Sequence, residues 1–273
     1  MIASMNTPAS KSTEPSAPIA PAPAQTLAVP AEPSPSPLAT GAQGATAAEA
    51  IARALAEPAR TAEEAVARPL ILVVHASVGS GHRSAANAIA EALEEAGEAA
   101  RAAGDDNSLE ARSEVRVLDI LDFGRIVFDG DKTASMFTGW TRPFYDLTWR
   151  YTLTGRLLWG GGTIWARLMY PKFTEYVRRL RPAAIVAPHI TAANVAVSAR
   201  MITGQSFPIV CVPTDYEAEG LWPHLHTDLF CVANESMAET LRPRRVPEDR
   251  ILITGIPASP AFSRTYDRAK ARE

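Results

Sequence analysis

The sequence has 273 residues, with 27 Lys and Arg, 30 Asp and Glu, and 47% hydrophobic residues, as in a soluble globular protein. A net charge of −3 excludes a dedicated nucleic-acid-binding protein, because contacts with phosphates require a surplus of Lys and Arg. The sequence contains no run of about 18 apolar residues that would cross a membrane, and its start lacks the apolar core of a signal peptide. We therefore expect a cytoplasmic protein, with any membrane contact being peripheral.

The first 68 residues differ in composition from the rest of the chain. Nine of the 22 prolines lie before residue 41, among Ala, Ser and Thr, and the segment has no aromatic residue. Such a segment buries too little apolar surface to offset the entropy lost on ordering. The composition therefore predicts a disordered tail over residues 1–68, without a catalytic role.

Beyond this tail, short apolar runs alternate with helical patterns. Apolar runs without polar alternation indicate strands covered on both faces, and their alternation with helices predicts an α/β fold, a Rossmann-like doubly wound parallel sheet. The predicted strands are Leu70–Val74, Val115–Asp119, Ala183–Ala187, Pro208–Val212, Leu229–Val232 and Ile251–Thr254. The predicted helices are Ser84–Ala96, Ala192–Ile202 and Ser236–Leu241, and a polar loop is predicted from Gly97 to Ser108.

Aromatic and basic residues are concentrated in one region. Thirteen of the 19 aromatic residues and four of the five tryptophans lie between Phe123 and Tyr176, interleaved with arginines. Trp and Tyr favour the headgroup level of a membrane, where Arg meets lipid phosphate. The pattern predicts contact with an anionic membrane surface, with Trp140 and Trp149 as candidate lipid-binding residues. The alternative is that several of these aromatics fill a large core.

A glycine-rich turn, Gly79-Ser80-Gly81, follows the first predicted strand and leads to His82. Backbone N–H groups at a helix start attract anions, but Ser84 replaces the third glycine of the dinucleotide fingerprint, which disfavours a nucleotide-binding oxidoreductase. His82 is predicted at the carboxyl edge of the sheet, where it is suited to accept a proton from a hydroxyl. The alternative is a helix-start histidine that only hydrogen-bonds a neighbour.

The segment around this turn resembles the opening of the monogalactosyldiacylglycerol synthase and processive diacylglycerol glucosyltransferase family. It reads ILVVHASVGSGHRSAANAI from Ile71 to Ile89. Further similar segments follow in the same order, at Val117–Asp119, Pro188-His189, Val212–Asp215 with Trp222 and Asp228, and Thr254–Pro257 with Pro260 and Phe262. The resemblance covers about residues 70–262.

This resemblance implies the N-terminal half of a GT-B fold, with residues 69–262 as the domain that binds the acceptor lipid at the inner face of the cell membrane. It implies transfer of a hexose from a UDP-sugar to diacylglycerol, with inversion and without a required metal or other cofactor. His82 takes the position of the family's proposed base. Gly79, Ser80 and Gly81 are expected to line the cleft near the donor phosphates.

The resemblance also implies a donor-binding domain after the Gly-Ile-Pro segment, whereas this chain ends at Glu273. Residues 263–273 are interpreted as a truncated linker, so a separate donor-domain polypeptide is a possible partner and the chain alone is expected to be inactive. The alternative is a non-catalytic lipid- or membrane-binding module. Ala76-Ser77-Val78 stands where plant members carry an acidic residue, which leaves the charge partner of His82 open.

Other polar residues are weaker candidates. Asp215 follows a strand and is predicted to orient His82 or contact the acceptor hydroxyl, unless it only caps the next element. His189 also follows a strand and is predicted to line the acceptor pocket. No converging carboxylate or thiolate accompanies His224 and His226, so no metal site is predicted. Structural residues are predicted at Asp119, a buried His75, and the reduced core thiols Cys211 and Cys231.

Overall fold

A computed structural model of the chain describes residues 52, 55–78, 80–125, 164–215 and 221–263. These residues form a six-stranded parallel sheet in the order β2-β1-β3-β4-β5-β6. The strands are β1 (Leu70–His75), β2 (Glu114–Asp119), β3 (Ala184–Ala187), β4 (Ile209–Cys211), β5 (Leu229–Val232) and β6 (Ile251–Ile253). The helices are α1 (Ala62–Ala67), α2 (Ser80–Ala102), α3 (Leu109–Arg112), α4 (164–169), α5 (Pro171–Leu180), α6 (Ile190–Thr203) and α7 (Glu235–Leu241). Short 3₁₀ turns cover Ile120–Phe123, Arg242–Arg244, Glu248–Arg250 and Pro260–Ser263.

The predicted fold class is confirmed: the protein has an α/β, Rossmann-like parallel sheet with flanking helices. Each of the six predicted strands is present, and each strand end lies within one residue of its predicted position. The chain moves from β1 to β2 in one direction and from β3 to β6 in the other. Because crossovers between parallel strands are right-handed, α2 covers one face of the sheet, and α5, α6 and α7 cover the other.

The strand order therefore reverses between β1 and β3. Open α/β sheets bind ligands outside the carboxyl ends of the strands at such a switch point. The register of the sheet aligns these ends, since Val73 of β1 lies opposite Val186 of β3, and Ala187 lies opposite Cys211 of β4. The fold thus places the loops after β1, β3 and β4 side by side.

Helix α2 is longer than predicted at both ends. It begins at Ser80 instead of Ser84, and it continues through Gly97 to Ala102, where a polar loop was expected. Gly97 is buried in the helix, and a Cβ atom at this position would lie 2.8 Å from the backbone oxygen of Glu110 in α3. Gly97 therefore allows a close approach of two helices and does not end one, although glycine weakens a helix.

The predicted disordered tail over residues 1–68 extends too far. Helix α1 begins with a capping box: Thr61 Oγ1 accepts a hydrogen bond from the N–H of Glu64, and Glu64 Oε2 accepts one from the N–H of Thr61. Such reciprocal bonds satisfy N–H groups at a helix start. Average composition hides this local signal, because two polar residues three apart are enough to form it.

The segment before α1 is also tied to the domain. Arg116 of β2 forms an ion pair with Glu57 at 2.9 Å, and Arg179 of α5 donates a hydrogen bond to the Glu57 carbonyl at 2.6 Å. The boundary of the folded domain therefore lies before residue 57. Residues 1–54 lie outside the described residues, apart from residue 52, and so does the predicted linker after Ser263.

The core lies where the sheet meets the helices and includes part of the aromatic-rich region. Phe173 and Tyr176 of α5 are buried, and the Phe123 ring packs against both, with centroids 5.4 and 5.5 Å away. These three residues of the aromatic-rich region therefore fill the core, which was the alternative to contact with a membrane. Trp140 and Trp149 lie outside the described residues.

The two cysteines are free thiols in β4 and β5. Cys211 is fully buried beside the Thr227 hydroxyl, and its burial raises the pKa of the thiol to about 12. Cys231 is half-buried, and its pKa is also raised by burial. Cys211 therefore has the predicted position of a core thiol, whereas Cys231 lies only partly in the core.

Candidate functional site

Three loops bring polar side chains to the carboxyl edge of the sheet at the switch point. His82 lies in the first turn of α2 after β1, His189 lies two residues after β3, and Thr214 lies three residues after β4. These strands are neighbours in the sheet. Parallel pairing of these strands therefore brings His82 close to two side chains that lie more than 100 residues later in the sequence.

His82 is half-buried and is held through one ring nitrogen. Its Nδ1 lies 3.1 Å from the backbone oxygen of Pro188 and 2.9 Å from the hydroxyl oxygen of Thr214. A carbonyl oxygen only accepts hydrogen bonds, so the Pro188 contact requires a hydrogen on Nδ1. In neutral His82, Nε2 then carries the lone pair and is the nitrogen able to take a proton. Neither partner of Nδ1 is a carboxylate.

The His189 ring packs against the His82 ring. The two rings stand edge to face, with centroids 4.6 Å apart. His189 is also the N-cap of α6, because its Nδ1 accepts a hydrogen bond from the N–H of Thr191 at 3.1 Å. Burial, and then the neighbouring His82 and His75, lower the pKa of His189 to about 3. His189 therefore remains neutral near pH 7 and places no positive charge against His82.

The predicted glycine-rich turn is partly helical. Ser80 and Gly81 belong to the first turn of α2 and are exposed, whereas Gly79 lies outside the described residues. The first N–H groups of a helix have no partner within it and carry the positive end of the helix dipole. The role of these residues near donor phosphates stays a prediction.

Thr214, and not Asp215, contacts His82. The Asp215 side chain is exposed, and the described part of the chain contains no hydrogen bond between it and His82. Asp215 was predicted because it is ionisable, although the Thr214 hydroxyl, three residues after β4, is an equally good signal for a residue at this edge. A contact of Asp215 with the acceptor hydroxyl stays a prediction.

Asp119 and His75 have structural positions, as predicted. The Asp119 carboxylate accepts hydrogen bonds from the N–H groups of Ser77 and Leu121, at 3.3 and 3.0 Å, and so ties the loop after β1 to the turn after β2. His75 is opposite Asp119 in the register and is buried, which lowers its pKa. These contacts support the loop that leads to His82.

The remaining histidines lie away from this edge. His224 and His226 precede β5 and are therefore at its amino end, and burial lowers the pKa of His224 to about 3. The described residues contain no group of three His, Cys, Asp or Glu side chains able to hold a metal ion.

Comparison with known proteins finds a family that matches most of the sequence. The family model for monogalactosyldiacylglycerol (MGDG) synthase matches residues 82–258. Among solved structures, the apo form of the lipopolysaccharide outer core galactosyltransferase WaaB is similar at 13% identity and a TM-score of 0.35. That match covers 67% of this chain and 44% of WaaB, so the chain spans less than half the length of that structure. No curated protein matches the chain.

The matched range begins at His82 and includes His189 and Thr214. It thus contains all three side chains that meet at the switch point, together with strands β2 to β6. The family model also covers more than half of the 273 residues. The chain belongs to the MGDG synthase family.

Proposed function

We propose that this chain is the acceptor- and membrane-binding half of a glycosyltransferase that moves a hexose from a UDP-sugar to diacylglycerol. The observation that carries the proposal is the arrangement of His82 at the switch point, with Nδ1 engaged and Nε2 left as the basic nitrogen. Membership of the MGDG synthase family supports a lipid acceptor and a glycolipid product. The domain would form the N-terminal half of a GT-B fold.

The reaction requires a base on the acceptor side. Nε2 of His82 takes the proton from the diacylglycerol hydroxyl as its oxygen bonds to the anomeric carbon of the sugar. The bond between that carbon and the UDP oxygen breaks, and UDP leaves with the electron pair. Attack opposite the leaving group inverts the anomeric carbon. A histidine side chain is suited to this proton transfer.

Other residues at this edge have proposed contacts with the substrates. The start of α2 at Ser80 and Gly81, with Gly79 before it, would lie near the phosphates of the UDP-sugar, because unpaired N–H groups and the helix dipole favour negative charge. His189 would line the acceptor pocket as a neutral wall, and Asp215 would reach the acceptor hydroxyl. No metal or other cofactor enters this scheme.

The need for a donor-binding domain in the proposed reaction is tested by reconstitution. The chain is mixed with diacylglycerol vesicles and UDP-galactose or UDP-glucose, with and without a donor-domain polypeptide of the family. We expect glycolipid only when both polypeptides are present. Product from the chain alone would contradict the need for a second polypeptide, and the absence of product from the mixture would favour the non-catalytic lipid-binding module.

Helix α4 offers a surface for peripheral contact with the membrane. Ile164, Trp165 and Leu168 share one side of this helix and are 63%, 42% and 57% exposed, and Arg167 and Lys172 beside them are exposed as well. Apolar side chains flanked by cations fit an anionic bilayer surface. The described residues contain no helix that is long and apolar enough to cross a membrane. We propose that the chain binds the cytoplasmic face of the cell membrane through this surface.

The double variant Trp165→Ser/Leu168→Ser is expected to bind vesicles at least about tenfold more weakly, because two apolar side chains no longer enter the bilayer. Binding is measured by flotation with vesicles of phosphatidylcholine, phosphatidylglycerol and diacylglycerol. Met201→Ser removes an apolar side chain that is 57% exposed on α6 and serves as the control. Equal binding by the double variant and the control would contradict this surface.

A further inference from the structure

We propose that Thr214 is a positioning residue: the Pro188 carbonyl fixes the hydrogen of His82 on Nδ1, and the Thr214 hydroxyl accepts from this nitrogen and holds the ring so that Nε2 is left for the acceptor hydroxyl as the base. The expected effect of Thr214 on catalysis rests on the proposed function. The tautomer of His82, in contrast, is a property of the folded chain and can be measured without substrate.

The first step of the argument concerns the hydrogen on Nδ1. The two atoms nearest this nitrogen are the Pro188 oxygen at 3.1 Å and the Thr214 oxygen at 2.9 Å. If Nδ1 lacked a hydrogen, its lone pair would point towards the lone pairs of the Pro188 carbonyl, which repel it. With a hydrogen on Nδ1, both oxygens accept. The Pro188 carbonyl therefore selects the neutral tautomer with hydrogen on Nδ1, and in that tautomer the Thr214 hydroxyl, which can donate or accept, accepts.

The second step concerns the charge that forms when Nε2 takes a proton. The imidazolium keeps its Nδ1 hydrogen bonds, and bonds from a charged donor are stronger than neutral ones. A carbonyl and a hydroxyl oxygen thus stabilise the positive charge that a carboxylate stabilises in a histidine–aspartate pair. His189 does not oppose this charge, because its own burial keeps it neutral. Ionisable groups near this cluster include His75 and Arg83, the latter exposed on α2.

The third step distinguishes Thr214 from its neighbours. Pro188 contributes a backbone oxygen, which no side-chain substitution removes. Asp215 is exposed and makes no hydrogen bond to His82 in the described part of the chain. Thr214 is half-buried and fixes the ring from β4, on the far side of β3. It is therefore the one side chain among the described residues whose hydroxyl bonds to Nδ1 of His82.

The experiment compares Thr214→Val, which keeps the shape and removes the hydroxyl, with Thr214→Ser, which keeps the hydroxyl. Nitrogen NMR of the chain labelled with ¹⁵N-histidine, assigned with a His82→Gln variant, reports the tautomer of His82 without any substrate. We expect hydrogen on Nδ1 in the wild type and in Thr214→Ser. Thr214→Val is expected to keep hydrogen on Nδ1, because the Pro188 oxygen remains, but to shift the Nδ1 resonance of His82, because one of the two acceptors is lost.

In the reconstituted transfer assay, Thr214→Val is expected to lower kcat about tenfold, the effect of losing one hydrogen bond to a charged ring, with KM for diacylglycerol within about twofold. Thr214→Ser is expected to restore kcat. Hydrogen on Nε2 in the wild type, an unchanged Nδ1 resonance and kcat in Thr214→Val, or equal losses in both variants would each overturn the proposal. If no variant transfers sugar, the proposed function fails, and the NMR result alone decides the role of Thr214.

Discussion

Replacing His82 by Ala is expected to lower the rate of hexose transfer at least about 100-fold in the chain combined with its donor-binding half, because general-base catalysis contributes factors of this size. The loss should appear in kcat, since the His82 ring acts on the proton of the bound acceptor. Transfer is measured with diacylglycerol vesicles and radiolabelled UDP-sugar. His82→Gln, which keeps a polar side chain without a comparable base, is expected to show the same loss.

The matched control for this variant is His226→Ala. His226 is also half-buried, but it precedes β5 and lies at the opposite edge of the sheet. Its replacement is expected to leave the rate within about twofold of the wild type, because a residue without contact to the reacting atoms gives no transition-state stabilisation. More than one tenth of the wild-type rate in a correctly folded His82→Ala protein would show that another group is the base.

The largest expected effect on stability comes from Phe173→Ala, at about 3–5 kcal/mol of unfolding free energy. Phe173 is fully buried in α5, and its ring packs edge to face on Phe123 at 5.4 Å. The substitution removes apolar contacts and leaves a cavity that the surrounding sheet and helices fill only in part. Chemical denaturation followed by circular dichroism gives the free energy.

An exposed phenylalanine of the same chain provides the comparison. Phe262 is 84% exposed, so Phe262→Ala is expected to change the free energy of unfolding by less than about 0.5 kcal/mol. A loss below about 1 kcal/mol for Phe173→Ala would mean that the aromatic cluster between α5 and the turn after β2 does not stabilise the domain.

Local patterns were enough to predict the strands and the position of His82. The inner strands are short apolar runs whose ends follow from where polar residues begin, whereas the edge strands β2 and β6 are only partly buried. His82 and His189 could be assigned to one edge of the sheet because each follows a strand. These predictions use only residues that are close to one another in the sequence.

Contacts between distant parts of the chain were not predictable in the same way. The bond from Thr214 to His82 spans 132 positions and depends on β3 lying between β1 and β4, which no local pattern specifies. The continuation of α2 through Gly97 depends on the nearby carbonyl of Glu110, and the ordering of the segment at Glu57 depends on Arg116. In each case the deciding contact comes from another element of the fold.

The cap that His189 provides makes the stability of the domain sensitive to acid. Its Nδ1 accepts the N–H of Thr191 only while the ring is neutral, and the folded protein holds its pKa at about 3, below the ordinary value of 6.5. The unfolded chain therefore binds this proton more readily, so the contribution of His189 is complete above pH 6.5 and is lost as the pH falls towards 3. Acid would thus release the start of α6 and the wall of the histidine site together.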